Sequence, residues 1–274
     1  MASPDLTELA IAPDWPDAPA NVGALTTTRR GGFSLGPYDD GAGRGGLNLG
    51  LHVGDDPAIV QRNRAKLGGF LPGAPAWISQ VHGIAVVDAA SVGPGQPVRV
   101  GDMRVGDASI ASAAGVVCAV MTADCLPVLF ADLAGRVVGA AHAGWRSLAG
   151  GVLGETVAAM RAAGAGELTA WLGPAIGPAH FEVGADVLEA FLAGARNPAD
   201  LEEVRAAFAP FEGRPGKYLA DMNRLARGLL ARTGVTRVWG GSHCTATEAD
   251  RFYSYRRDGV TGRQASLIWL KSQV

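Results

Sequence analysis

The sequence predicts an α+β fold, and three observations carry that expectation. Three short apolar runs, Val116 to Met121, Pro127 to Ala131 and Val137 to Ala141, follow one another with only turn-sized gaps. That succession is strand after strand, mixed with helices elsewhere, and not a regular strand–helix alternation. Neither a fixed-period repeat nor a linker long enough to separate domains interrupts the 274 residues, so a single domain over 1–274 is expected. A chain of this length can bury up to about three quarters of its unfolded surface.

In chain order, Ala24 to Thr28 reads as a strand because a short apolar stretch leads into β-branched threonines. A helix near Pro57 to Leu67 follows, then short strands at Ala76 to Ser79 and Ala85 to Val87. Gly93 to Gly106, with Pro94 and Pro97, reads as an exposed loop. After the three central strands, Leu148 to Ala163 carries small and apolar residues at helical spacing. Leu168 to Leu172 is the next strand, Ala185 to Leu192 and Asp221 to Thr233 are helices, and Arg237 to Trp239 and Ala265 to Leu270 are the last strands.

Composition narrows the function classes. A hydrophobic fraction of 48% with 18% charged residues belongs to a globular protein. A net charge of -2 gives no general attraction for a polyanion, so nucleic acid is not an expected partner, while a local basic pocket for one phosphate remains compatible. Three cysteines, with no Cys-x-x-Cys pair, do not form a disulfide framework and suit a reducing cytoplasm. Met1 to Ala20 holds Asp5, Glu8, Asp14 and Asp17 without a basic start or apolar centre, so no signal peptide is expected. No run of 18 apolar residues suggests a membrane span.

The residues with the most chemical content are Cys125, in Thr122-Ala123-Asp124-Cys125, and His142, in Ala140-Ala141-His142-Ala143-Gly144-Trp145-Arg146, each at the end of an apolar run. His82, in Gln80-Val81-His82-Gly83, is a third candidate. A thiolate and two imidazoles would hold zinc and leave its fourth position open, the pattern of a catalytic and not a structural site. The three lie 43 and 17 residues apart, so spacing alone leaves a second reading open: a small buried cysteine and histidines satisfied by hydrogen bonds.

Other motifs lead nowhere. Gly41-x-Gly43-x-x-Gly46 fits the dinucleotide pattern, yet Pro37-Tyr38-Asp39-Asp40 precedes it where a strand is required. Ser34, Ser79 and Ser254 lack the Gly-x-Ser-x-Gly elbow of a serine hydrolase, and the zinc-deaminase signature His-x-Glu with Cys-x-x-Cys is absent. Cys118 reads as core, and Cys244 as structural or pocket-lining.

Taken together, these segments resemble the YfiH family, also called the laccase-domain or multicopper-polyphenol-oxidase-like family and assigned purine nucleoside phosphorylase activity. The resemblance runs through Thr26-Thr27-Thr28-Arg29-Arg30-Gly31-Gly32, Leu47-Asn48-Leu49-Gly50-Leu51-His52-Val53-Gly54-Asp55, the three segments above, Leu172-Gly173-Pro174-Ala175-Ile176-Gly177-Pro178, Tyr253-Ser254-Tyr255-Arg256-Arg257-Asp258-Gly259 and Thr261-Gly262-Arg263. It covers nearly the whole chain in order, and departs from the family's usual text at Ser147, where glycine is common, and at Gly240 to His243.

The resemblance implies a layered sandwich of mixed sheets covered by helices, with zinc held by His82, Cys125 and His142. It implies phosphorolysis of adenosine, inosine and methylthioadenosine, accompanied by adenosine deamination, in a monomer or homodimer. Such a reaction needs an anion held beside the ribose, and Arg62, Arg146 and Arg256 are the candidates for it. Asn48 and His52 are candidates for ribose hydroxyls or base edges, and Asp124 for orienting water or a ligand histidine. The older family label implies a copper polyphenol oxidase instead, but a multicopper site needs many histidines and this chain has five. A peptidoglycan-editing hydrolase is the other alternative. A non-enzymatic module would require a metal held by four protein ligands.

Overall fold

Two large sheets stacked face to face form the centre of the computed structural model, which describes residues 6–92, 101 and 103–272. The five-stranded sheet runs in the order Ala10–Ile11, Val22–Thr27, Gln264–Leu270, Val117–Thr122, Pro75–Ala76. The six-stranded sheet runs Arg237–Gly240, Leu168–Leu172, Leu126–Asp132, Val138–Ala143, Ala108–Ala111, Val86–Asp88. Each mixes parallel and antiparallel pairs. A smaller sheet of Glu182–Gly184, Lys217–Ala220 and Phe208–Pro210 completes the architecture.

Period-two alternation of side chains explains the layering. On Val117–Thr122, Cys118 and Val120 face the other sheet, while Val117, Ala119 and Met121 pack outward against Leu47, Leu49, Leu67 and Trp77. On Leu126–Asp132, Leu129 and Ala131 face inward, while Leu126, Val128 and Phe130 pack under helices contributing Val157, Met160, Leu225 and Leu230. Both central strands are therefore apolar on both faces, which is why they read as continuous hydrophobic runs. This is an α+β layered sandwich covered by helices.

Local chemistry sets the helix ends. Asp56 accepts from Ala58 N at the start of Pro57–Gly68, and Asp221 accepts from Arg224 N at the start of Met222–Arg232. The helix expected over Leu148 to Ala163 is two, Trp145–Gly150 and Val152–Ala162, because Gly151 adopts a left-handed φ of 104° and closes the first. Strands Ala10–Ile11, Ala108–Ala111, Glu182–Gly184, Phe208–Pro210 and Lys217–Ala220 and helix Pro198–Ala206 have no counterpart in the sequence reading. All except the helix are four residues or fewer, too short for a period to show. Of the loop expected at Gly93 to Gly106, residues 93–100 and 102 lie outside the described residues. No helix among the described residues is long and apolar enough to cross a membrane.

Leu129 sits fully buried between the two sheets. Leu129→Ala is expected to lower the free energy of unfolding by about 2–5 kcal/mol, the cost of a buried leucine and its cavity. Urea titration would measure it, and a cost under ~1 kcal/mol would show that the layer collapses around the void.

Candidate metal centre

Register brings two of the three candidate ligands together. Pro127 pairs with His142 and Leu126 with Ala143, so Cys125, one residue before its strand, lies beside Gly144. His142 shares the parity of Val138 and Ala140 and therefore emerges between the sheets at the strand end. His82 arrives on a loop fastened to the same region. Gln80 extends the Val117–Thr122 edge with its side chain, Nε2 donating to Met121 O at 2.8 Å and Oε1 accepting from Met121 N at 2.8 Å. Ser79 N donates to Arg104 O at 2.8 Å and Gly106 N to Ser79 O at 3.1 Å.

The His82, Cys125 and His142 ligand atoms all lie within 4.8 Å of one another. Cys125 Sγ is 3.7 Å from His82 Nε2, and the two imidazole rings meet edge to face with centroids 4.8 Å apart. His142 is buried, Cys125 half-buried and His82 exposed, so the cluster opens to solvent on the His82 side. One soft sulfur and two imidazoles that converge and face solvent fit a divalent metal with a free coordination position.

Asp107, unmarked by any motif, organises this cluster. Its buried carboxylate accepts the backbone N–H groups of Val81 at 3.1 Å, His82 at 2.9 Å and Gly83 at 2.7 Å, and it lies 2.8 Å from His142 Nδ1. With Asp107 ionised, Nδ1 carries the proton toward it and Nε2 is left as the metal-facing nitrogen. Burial acts to raise the Asp107 pKa, yet the hydrogen bonds from His142, Gly83 and Val81 together with the His142 charge hold it below the ordinary carboxylate value.

Cys125 and His142 titrate as a pair. Burial opposes the thiolate, but the charge and hydrogen bond of His142, then His82, bring Cys125 down to about 6. Burial likewise opposes the imidazolium, and the Cys125 and Asp107 contacts lift His142 to about 9. In the metal-free protein a thiolate–imidazolium pair therefore holds one proton between those limits. A depressed cysteine contributes stability that is lost as pH falls through about 6, and a raised histidine one lost as pH rises through about 9.

The backbone around the cluster is constrained. His82 (φ 60°) and Asp124 (φ 94°) are the non-glycine residues with positive φ among those described. Both adjoin the site, where such conformations are held by surrounding contacts. Asp124 Oδ1 accepts from Thr245 Oγ1 at 2.6 Å and Oδ2 from Arg256 N at 2.6 Å, so its carboxylate ties three segments together. Gly144 lies so close that a Cβ there would meet His82 Cδ2 at 2.6 Å and Cys125 Sγ at 3.1 Å.

The remaining sequence candidates distribute unevenly. Asn48 is buried and engaged within the protein: its Oδ1 accepts from Gly50 N and Arg263 N, and its Nδ2 donates to Asp55. His52 is exposed, yet burial first, then the charges of Arg263, Arg64 and His142, push its pKa down to about 4. Arg62 is exposed and stacks on Phe33 at 4.2 Å. Arg146 is exposed, stacks on Trp145 at 4.2 Å and has no ion pair among the described residues. Arg256 donates to the carbonyls of His180 and Glu182. Cys118 is core, and Cys244 accepts from Gly177 N at 3.2 Å.

Known proteins share this sequence and architecture. The profile described as "Multi-copper polyphenol oxidoreductase laccase" matches residues 23–271. A purine nucleoside phosphorylase of Pseudomonas aeruginosa is 51% identical over 261 residues, 95% of this chain and 98% of its own. Purine nucleoside phosphorylase YfiH of Escherichia coli is 50% identical over 262 residues, with the same coverage. A crystal structure of a Neisseria meningitidis protein superposes with a TM-score of 0.84 at 48% identity, covering 96% of this chain and 99% of that one. YlmD from Geobacillus stearothermophilus superposes with a TM-score of 0.82 at 32% identity, covering 96% and 97%.

Two outcomes are expected from this geometry. Gly144→Ala leaves the fold intact, since its backbone suits any residue and the exposed His82 ring can move aside, but it weakens metal binding by an order of magnitude or more, measurable by competition with a chelating dye. Binding of a divalent metal by metal-free protein near neutral pH releases about one proton per chain, the one shared by Cys125 and His142. Release of two, in weakly buffered indicator solution, would mean that the pair is not preformed.

Proposed function

This chain belongs to the multi-copper polyphenol oxidoreductase laccase family, also known through its YfiH members, and from that premise we propose that it is a zinc-dependent purine nucleoside phosphorylase. Its substrates on this reading are adenosine, inosine and methylthioadenosine, which it cleaves with phosphate to the base and the (methylthio)ribose 1-phosphate, with adenosine deamination as an accompanying activity. The observation that carries the reading is the His82, Cys125, His142 cluster in a chain about 50% identical to relatives named for that reaction. Zinc suits the donor set, because a soft thiolate with two imidazoles and an open side is a catalytic zinc arrangement. A bound zinc ion supplies Lewis acidity and a lowered pKa for water at the open position.

The protein's own residues provide the rest. Asp107 fixes the His142 tautomer, and Asp124 pins the turn that presents Cys125. His52, kept neutral near physiological pH, offers a hydrogen-bonding ring beside the cluster without adding charge. Arg146, with its free guanidinium at the start of helix Trp145–Gly150, contacts substrate at the rim, with Arg256 and Arg62 as further candidates. Asn48 acts on substrate indirectly, through the loop it holds. We read the activity as belonging to one domain in a cytoplasmic monomer or homodimer.

The deciding measurement is product analysis. Zinc-loaded protein incubated with inosine is expected to give ribose 1-phosphate in a yield that rises with phosphate concentration. Free ribose, formed equally with and without phosphate, would identify a hydrolase instead. Elemental analysis is expected to find about one zinc per chain, and Cys125→Ser to lower it, since serine remains protonated near neutral pH and is a poor ligand. Stoichiometric copper with copper-dependent oxidase activity would overturn the zinc assignment.

A further inference from the structure

Arg64, and Arg263 of the Thr261-Gly262-Arg263 segment, meet one residue of the loop beside the metal cluster, the first through its guanidinium and the second through its backbone. Arg64 Nε donates to Leu49 O at 3.0 Å, and Leu49 N donates to Arg263 O at 3.1 Å. Arg263 N also donates to Asn48 Oδ1 at 2.9 Å, so the Asn48–Leu49 dipeptide fixes both. Gln264 pairs with Thr122, which places Arg263 opposite Ala123, next to Asp124 and Cys125. Arg263 also packs over the loop, so close that a Cβ on Gly50 would meet its Cγ at 2.8 Å. His52 follows two residues later in that loop.

Neither guanidinium has a carboxylate partner among the described residues. Arg64 is only 4% exposed; it stacks on Trp77 at 4.3 Å, its Nη2 faces the weak acceptor Met121 Sδ at 3.9 Å, and its Nη1 has no hydrogen-bond partner among the described residues. Arg263 donates to the carbonyls of Thr261 at 3.2 Å and Gly262 at 2.9 Å through Nη1. A buried charge left unpaired is costly. Burial accordingly lowers the Arg64 pKa to about 10, and both arginines act on His52. Cys125 and Asp124 act on Arg263 from beyond ion-pair distance, and forked donors without a directly paired anion are suited to a tetrahedral oxyanion.

We propose that Arg64 and Arg263 form the seat of the inorganic phosphate that attacks the nucleoside, on the His52 side of the metal cluster. This rests on the phosphorylase reading and assigns its anion to these interior residues. In the reaction, a hydrogen phosphate oxygen forms a bond to C1′ of the ribose as the C1′–N9 bond breaks. The electron pair of that bond leaves with the purine, which takes the proton of the phosphate. Two fixed positive charges hold the nucleophile until the bond forms.

Arg263→Gln and Arg64→Lys, both compared with wild type in zinc-loaded form, test the proposal. Arg263→Gln is expected to raise the KM for phosphate about tenfold or more, the loss of a charge-assisted hydrogen bond, with the KM for inosine little changed. Inorganic phosphate should raise the melting temperature of wild type and not of this variant, a readout independent of turnover. Arg64→Lys keeps the charge but loses the fork; it is expected to fold, by circular dichroism, and to weaken phosphate in the same direction. If wild type forms ribose 1-phosphate and Arg263→Gln keeps both its phosphate KM and its phosphate-induced stabilisation, the proposal falls while the phosphorylase reading stands. If wild type forms none, that reading falls, and with it the role in attack. Stronger protection by a nucleoside 5′-monophosphate than by inorganic phosphate would assign the seat to a nucleotide and overturn the proposal.

Discussion

The Asp107 carboxylate is the constraint on which the site depends. A buried carboxylate is tolerable only when its lone pairs are occupied, and here three consecutive amides and an imidazole occupy them. One end of this arrangement dictates the positive φ of the His82 loop and the other dictates which nitrogen of His142 faces the cluster. The His142 backbone N–H also donates to Asp107 O at 2.7 Å, so the residue that orients the ring also fixes its strand. Removing the carboxylate would strand several donors at once, so its hold on the His142 ring cannot be separated from its role in the backbone.

The stacked sheets then explain why ligands so distant in sequence meet. Central strands of both sheets are lined with apolar groups on both faces, leaving chemistry only where the ladders stop. Val117–Thr122 leaves its sheet and Leu126–Asp132 enters the other through the turn that carries Asp124 and Cys125. That turn therefore joins the two layers, with the thiol at the junction. His142 enters from the adjacent strand, and Arg263 from the strand paired on the other side.

Much of this was legible in sequence, and the residues that were not share a cause. The long apolar runs and the strand-end positions of Cys125 and His142 follow from residue type alone. Asp107 precedes Ala108–Ala111, four residues with no apolar run long enough to mark a strand, so nothing identified its buried position. The arginines show a subtler failure. On Pro57–Gly68 the buried stripe is Val60, Asn63, Arg64 and Leu67, the i, i+3, i+4, i+7 face. Helical periodicity thus turns Arg64 inward and Arg62 outward, a distinction available from spacing once polar residues are admitted to an inward face. Arg263 stands in the Thr261-Gly262-Arg263 segment, but its place beside Cys125 comes from strand register, which no local pattern encodes.

The order of the strands carries a consequence for how the molecule comes to exist. Gln264–Leu270 is the last strand in chain order among those described, yet it lies in the middle of its sheet, between Val22–Thr27 and Val117–Thr122. Those two strands cannot pair with their shared neighbour until Gln264–Leu270 has been synthesised, and they present unsatisfied edges meanwhile. Contacts of such sequence separation close slowly. A nascent chain holding His82, Cys125 and His142 still lacks the strand that seals their layer, so the centre closes only once Gln264–Leu270 has emerged.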